Sequence, residues 1–337
     1  MQTPSRWCHF RPQSHLAFHL VLVLSALGAW AADAVPPKPE RAGGKAKAPP
    51  TGATAEPGVR LERDVAFLAP ERSEKMDIYL PAAAKSGDRF PCLVFIHGGG
   101  FTMGDKAAGS RFCNAFVRKG YVCASINYHL ASGHARYEAF EQSIPDCKTA
   151  IRFLRANASK YFIDSQHFGA FGSSAGGYFV TMLGYAKASA GFEPKDPYGE
   201  VSSEIQAVVD LFGLEDFTAD PDLAAGAQIQ EHFRQIHATW PKEKQSRYSP
   251  IEYVTPDSPP TLVSHGTKDD MVAYTQSERL VAALKRVHVP WYFIPVPGAG
   301  HGYGMKAPGM DLEPAITAFY DKYLKGKAVE VPGIAGP

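Results

Sequence analysis

Three side chains able to run acyl-transfer chemistry stand where the chain turns. Ser174 is the centre of Gly172-Ser173-Ser174-Ala175-Gly176, between the short apolar run 167–171 and the apolar stretch 177–183. A serine hydroxyl is a weak nucleophile until a base takes its proton, and that base needs a third group to orient it. His301, in Pro297-Gly298-Ala299-Gly300-His301-Gly302-Tyr303, is the candidate base, and Asp269, in His265-Gly266-Thr267-Lys268-Asp269-Asp270, is the candidate acid. Asp270 stands beside it as a rival. A negative charge developing on a carbonyl oxygen also needs donors. The triple glycine Gly98-Gly99-Gly100 leaves backbone N–H groups unshielded, and the Ala175 N–H lies next to Ser174 at the start of a predicted helix.

The elements that must hold these groups follow from pattern. Residues 59–68 and 75–80 read as two strands joined by a charged turn, antiparallel at a sheet edge. Residues 90–96 form a continuous apolar run, as expected of a strand covered on both faces, and run directly into His97 and the glycines. Residues 110–118 read as a helix, 121–127 as a strand, and 140–160 as a helix with Ile144, Ala150, Ile151, Leu154 and Ala156 at helical spacing. Strand, sharp turn and helix then surround Ser174, and the glycines two places to either side let strand and helix pack closely. Residues 205–212, 261–264 and 289–296 are further strands, with helices predicted at 274–286 and 313–324. The region 214–253 mixes acidic, aromatic and helical stretches and reads as a small cap facing substrate. Alternating strands and helices predict an α/β fold with a mostly parallel eight-stranded sheet and helices on both faces. Ser174, Asp269 and His301 each fall just past a predicted strand, at the carboxyl edge where such sheets place their sites.

Residues 1–31 are of another kind. Arg6 and Arg11 precede the apolar run 16–27 and then Ala29-Trp30-Ala31, the pattern of a secretory signal cleaved after Ala31. An uncleaved anchor is the alternative, with a run shorter than the roughly 18 residues that span a bilayer. Residues 32–58 are rich in Pro, Ala, Gly and Lys and read as a disordered linker, placing the folded domain at 59–327 in a secreted or periplasmic protein. Removing the signal also removes Cys8 and leaves Cys92, Cys113, Cys123 and Cys147, without C-x-x-C spacing. These read as buried thiols, with one disulfide as the alternative. The 337 residues, 45% hydrophobic with a net charge of +1, offer no basic field for nucleic acid or an anionic membrane. No nucleotide-binding glycine pattern is present, and no metal or organic cofactor is called for.

Ser, Asp and His follow one another in the order of the α/β-hydrolase triad and not that of chymotrypsin or subtilisin. The chain resembles the hormone-sensitive-lipase-like esterase/lipase group of that superfamily, and most closely its bacterial feruloyl- and acetylxylan-esterase-like branch. Five collinear motifs carry the resemblance: His97-Gly98-Gly99-Gly100-Phe101; Asp146-Cys147-Lys148 with Arg155-Ala156-Asn157-Ala158; Phe171-Gly172-Ser173-Ser174-Ala175-Gly176-Gly177; His265-Gly266-Thr267-Lys268-Asp269 with Val272; and Gly298-Ala299-Gly300-His301-Gly302. The resemblance implies Ser174 as nucleophile, His301 as general base and Asp269 as the residue orienting it. It gives the oxyanion hole to the N–H groups of Gly99, Gly100 and Ala175. Ala273 and His129 depart from the family pattern, which often has proline and arginine there. Ser173 beside the nucleophile and the bulky Phe101, Tyr128, Phe212 and Tyr303 suggest a compact pocket for a short or aromatic acyl group on a small-molecule or polysaccharide-linked ester. Asp210 reads as a structural partner within a strand, and His97 and His265 as strand-end histidines bonded to backbone. The competing functions are an arylformamidase or small amidase of the same fold, and a non-catalytic binding protein built on it.

Overall fold

The computed structural model describes residues 52–132, 137 and 139–336; the expected signal peptide and most of the linker lie outside them. Strands β1 (Val59–Val65), β2 (Met76–Pro81), β3 (Phe90–Ile96), β4 (Val122–Ile126), β5 (Ile163–Ser173), β6 (Ala207–Leu211), β7 (Thr261–Gly266) and β8 (Trp291–Val296) enter one sheet. A short β11 (Ile334–Gly336) completes it in the order β1-β2-β4-β3-β5-β6-β7-β8-β11. Strands β4, β3, β5, β6, β7 and β8 run parallel; β1, β2 and β11 are antiparallel additions at the two edges. The sheet is thus nine-stranded where eight were expected. The ninth arises because β8 presents an open edge, against which the chain beyond residue 327 lays Ile334 opposite Phe293.

The helices are α1 (Ser110–Val117), α2 (Phe140–Ala156), α3 (Ala175–Tyr185), α4 (Pro221–Ala224), α5 (Gln230–Thr239), α6 (Lys242–Arg247), α7 (Thr275–Arg286) and α8 (Glu313–Lys325). The two-residue strands β9 (Lys306–Ala307) and β10 (Met310–Asp311) make a hairpin after His301. Because β3 to β8 are buried on both faces, the core splits into two large clusters. One holds Val94, Ile96, Ala170, Val208, Phe140 and Tyr178. The other holds Leu93, Phe171, Val209, Phe112, Phe116 and Tyr320. Alternate residues of one strand appear in opposite clusters, as period-two side chains require.

Residues 53–58 correct the linker boundary. Asn114, buried in α1, donates to Thr54 O at 2.8 Å and accepts from Glu56 N at 2.8 Å, and Arg118 pairs with Glu56. One buried amide thereby satisfies both faces of an extended segment that has almost no apolar side chain of its own. All four cysteines are free and buried. The Asp146 motif is structural: its carboxylate takes both arms of Arg72 and the His129 N–H, tying α2 to the loop after β4.

Candidate active site

The geometry begins with the backbone at Ser174, whose φ of 55° and ψ of −121° lie where side chains rarely go. Two glycines make that turn possible. A Cβ on Gly172 would stand 2.1 Å from Gly176 O, and one on Gly176 would stand 2.0 Å from Ile96 O. The Ser174 N–H donates to Leu211 O at the end of β6 (2.9 Å), which pins the turn to the neighbouring strand. Its hydroxyl is therefore presented past the carboxyl end of β5, at the first residue before α3.

His301 and Asp269 converge on it from the ends of β8 and β7. The Ser174 Oγ lies 2.9 Å from His301 Nε2, and His301 Nδ1 lies 2.7 Å from Asp269 Oδ2. The Asp269 side chain is fully buried, and every partner it has is a donor. Oδ1 accepts the Met271 and Val272 N–H groups, both at 2.9 Å, while Oδ2 faces His301 and, at 3.3 Å, His265 Nε2. Burial alone would raise this carboxyl, but the hydrogen bonds from His265 and His301 outweigh it and hold Asp269 well below the usual carboxylate range. His301 Nδ1 consequently carries a proton and Nε2 is free to accept one. Asp270 points elsewhere, to Gln228 Nε2 at 2.8 Å.

His265 plays a larger part than the strand-end role expected of it. Its Nε2 faces two acceptors, Val272 O at 3.0 Å and Asp269 Oδ2, and its Nδ1 lies 2.7 Å from the Ser277 hydroxyl. It is thus a donor at Nε2 and an acceptor at Nδ1, bracing the acid from below. The signal was present as His265 and Asp269 four residues apart just after a strand, but the pattern does not say which way the ring turns.

A cavity of about 410 Å³ opens over Ser174 and His301, lined by Gly98, Gly99, Gly100, Ser173, Phe212 and Tyr303 among the residues singled out from sequence. Gly99 and Gly100 have φ of 130° and 60°. A Cβ on Gly98 would come within 2.7 Å of Ser173 O, so the glycine loop lies directly against the nucleophile turn. Ala175 is the first residue of α3, and no side chain caps that helix.

Two expected pocket residues are elsewhere. Phe101 continues the left-handed run with φ of 66°, which turns its ring inward against Phe140 (4.9 Å), Tyr178 (5.5 Å) and Phe179 (5.6 Å). Tyr128 is buried beneath the same loop, stacked on His97 at 4.4 Å, with its hydroxyl donating to His97 O at 2.9 Å. Both anchor the glycine loop in the core and neither lines the cavity. In their place stand Thr102, Met103, Ile229 and Met271. Ile229 precedes α5 in the cap, and the cap is fastened to the acid loop: Gly226 N donates to Met271 O and Gln228 N to Asp270 O, both at 3.0 Å. Buried Gln276 of α7 holds the cap's base by accepting from the Glu215 and Asp216 N–H groups. Among the described residues no group of three or more His, Cys, Asp or Glu side chains is placed to hold a metal ion.

Residues 76–284 match the BD-FAE family profile, well over half of the chain. The chain belongs to the BD-FAE family. It is an α/β-hydrolase of the hormone-sensitive-lipase-like esterase group, as its five motifs imply. Over 221 residues it is 29% identical to Esterase LipC of Mycobacterium tuberculosis, covering 64% of this chain and 53% of that protein. Over 259 residues it is 25% identical to the Probable carboxylic ester hydrolase LipM of the same organism, covering 75% and 59%. The chain therefore spans between half and three-fifths of the length of these curated relatives. Among solved structures, a truncated form of a carbohydrate esterase from gut microbiota superimposes with a TM-score of 0.69 at 26% identity, covering 80% of this chain and 98% of that one.

Proposed function

We propose that this BD-FAE family member is a secreted or periplasmic serine carboxylic-ester hydrolase that works through an acyl-enzyme on short or aromatic acyl esters, including acetyl or feruloyl groups carried by carbohydrate. The observation that carries the reading is the unbroken line from Ser174 Oγ to His301 (2.9 Å) to Asp269 (2.7 Å) under an open cavity. Likeness to a carbohydrate esterase structure along nearly its whole length supports the substrate class.

In this reading Ser174 Oγ attacks the ester carbonyl while His301 Nε2 takes its proton, and Asp269 stabilises the imidazolium without itself being protonated. The carbonyl oxygen becomes an oxyanion held by the Gly99, Gly100 and Ala175 N–H groups, each such donor being worth about 10²–10³ in rate. His301 then protonates the departing alkoxide. Water, deprotonated by the same ring, attacks the acyl-Ser174 carbonyl, and the proton returns to Ser174 Oγ as the acid leaves. No step calls on a metal or organic cofactor.

The test is acetate release from acetylated xylan beside hydrolysis of p-nitrophenyl acetate, with Ser174→Ala as the blank. Cleavage of both by the native protein and silence of the blank are expected. Cleavage of the activated ester alone removes the polysaccharide substrate and leaves the esterase; a Ser174→Ala protein as active as the native one removes the mechanism.

A further inference from the structure

A second cavity, of about 310 Å³, lies against the first and shares Gly98, Ser173, Gly302 and Tyr303 with it, so the two spaces meet beside the nucleophile. Its floor is aromatic. Phe95, Phe112 and Phe171 line it as a contiguous set, with ring centroids 4.5 Å apart for Phe112 and Phe171 and 5.6 Å for Phe95 and Phe171. Its wall carries Arg111 and Lys306 and no carboxylate.

The charges around that wall do not cancel. Lys306 is paired with Asp311 across the β9–β10 hairpin. Arg111 makes no hydrogen bond or ion pair with a described side chain, although Asp311 feels its charge at longer range. Arg111 also sits in the first turn of α1, whose N-cap is Gly109 and which has no acidic residue in that turn. A cavity with an aromatic floor, one guanidinium without a carboxylate partner and no carboxylate in its own lining suits a ring that bears a negative charge.

Which half of an ester enters follows from His301. The imidazole must hand its proton to the leaving oxygen; His301 stands with Ser174 in the first cavity, Gly302 and Tyr303 border both spaces, and Gly304 to Lys306 border only the second, so an alcohol that leaves past the ring is led into the second space. The pocket roofed by Ile229 and Met271 is left for the acyl group.

We propose that this cavity is the alcohol subsite and that it selects esters whose alcohol is a ring bearing a carboxylate, the chemistry shared by uronic acids and hydroxyaryl acids. The proposal rests on Ser174 acting as an ester hydrolase nucleophile. It names what the neighbouring space recognises.

The experiment measures kcat/KM for two matched pairs: 4-acetoxybenzoate against its methyl ester, and O-acetylglucuronate against its methyl ester. The native protein should favour the free carboxylate in at least one pair, and the pair that shows the preference identifies the source of the ring. Arg111→Gln should cut that anionic-to-neutral ratio about fivefold, as expected for a partly exposed ion pair at contact distance, and adding Lys306→Gln should cut it further. Raising ionic strength from about 0.01 M to about 0.5 M should erode the native ratio in the same direction. Arg60→Gln, which removes an exposed charge from edge strand β1, should leave the ratio where it was. A ratio below one in both pairs, or one that Arg111→Gln and Lys306→Gln do not move, overturns the subsite while the neutral esters still report an active esterase. If neither the neutral nor the charged esters are cleaved, the hydrolase reading and the subsite fall together.

Discussion

Replacing Asp269 with Asn tests the triad at the point where its geometry is most constrained. The four groups around the carboxylate, the Met271 and Val272 N–H groups, His265 Nε2 and His301 Nδ1, are all arranged to donate. An amide presents one acceptor and one donor, so one pair of donors must face an NH₂. The two backbone N–H groups are fixed by the loop; the amide oxygen therefore stays with them and the NH₂ turns toward the rings. His301 can meet an NH₂ only by presenting a bare Nδ1, which moves its own proton to Nε2, opposite the Ser174 hydroxyl 2.9 Å away. The base then points a donor at the proton it must accept. A wrong tautomer of this kind costs on the order of 10⁴ in kcat, or about 5.5 kcal/mol of barrier. The assay is kcat and kcat/KM on p-nitrophenyl acetate together with the rate of fluorophosphonate labelling at Ser174, with circular dichroism to show that the variant is folded. Both rates should fall in parallel. Asp270→Asn, whose carboxylate faces Gln228, should change them less than about threefold. Retention of more than a tenth of native activity by folded Asp269→Asn, or equal losses from the two variants, would refute the assignment of the acid.

Two further outcomes concern the support of the site. Gly176→Ala places a Cβ 2.0 Å from Ile96 O, a backbone atom that moves only with strand β3, so the cost should reach the upper end of overpacking, about 3 kcal/mol, with kcat lowered as the elbow shifts; a thermal midpoint within a degree or so of native contradicts this. Burial pushes Asp210 up to about 8, and Gly213 holds Asp210 Oδ1 and Glu215 Oε1 both within 2.6 Å of the point where its Cβ would be. The folded protein thus keeps a proton that the unfolded chain loses near pH 4. The contribution of this group to stability is fully present below that pH and declines as pH rises toward 8, at about 1.4 kcal/mol per pH unit for one full proton. Burial also pushes the neighbouring Glu215 well up, so Asp210→Asn, which keeps the bond from the Gly213 N–H, should make the decline between pH 5 and pH 8 shallower without abolishing it, whereas parallel melting-temperature profiles for the two proteins would show that Asp210 holds no proton when folded.

What the sequence made legible was what local chemistry decides. Continuous apolar runs located the buried parallel strands to within a residue or two, since a strand covered on both faces admits little else, except that β5 begins at Ile163, four residues ahead of its apolar run. The elbow was readable because Gly172 answers to a contact only four residues on, at Gly176 O, although Gly176 itself answers to Ile96 O of a distant strand. Phe101 and Tyr128 were misplaced because their burial depends on three consecutive positive φ values and on a stack with His97, neither of which shows in residue type. Ile229 and Met271 were invisible for the opposite reason: the segments that carry them have no repeating pattern, and they reach the cavity through long-range backbone bonds. The β11 edge and the docking of residues 53–58 likewise rest on partners far away in the chain.

Those long-range bonds join two properties that are often discussed apart. The loop from Asp269 to Val272 is folded around the catalytic carboxylate, since Oδ1 accepts its own loop's N–H groups at Met271 and Val272. The same loop carries the cap, through the bonds of Gly226 and Gln228 to Met271 O and Asp270 O, and a Cβ on Gly226 would stand 2.2 Å from the Asp270 carbonyl carbon. Met271 lines the cavity over Ser174, as does Ile229, which follows the cap residues so fastened. The position of the acid and the shape of the pocket are thus set by one short segment. A substrate that presses on Ile229 or Met271 acts on the backbone that fixes Asp269, and through Asp269 on the tautomer and aim of His301. In this fold the lining of the cavity at Met271 and the placing of Asp269 beside His301 are properties of the same four-residue segment.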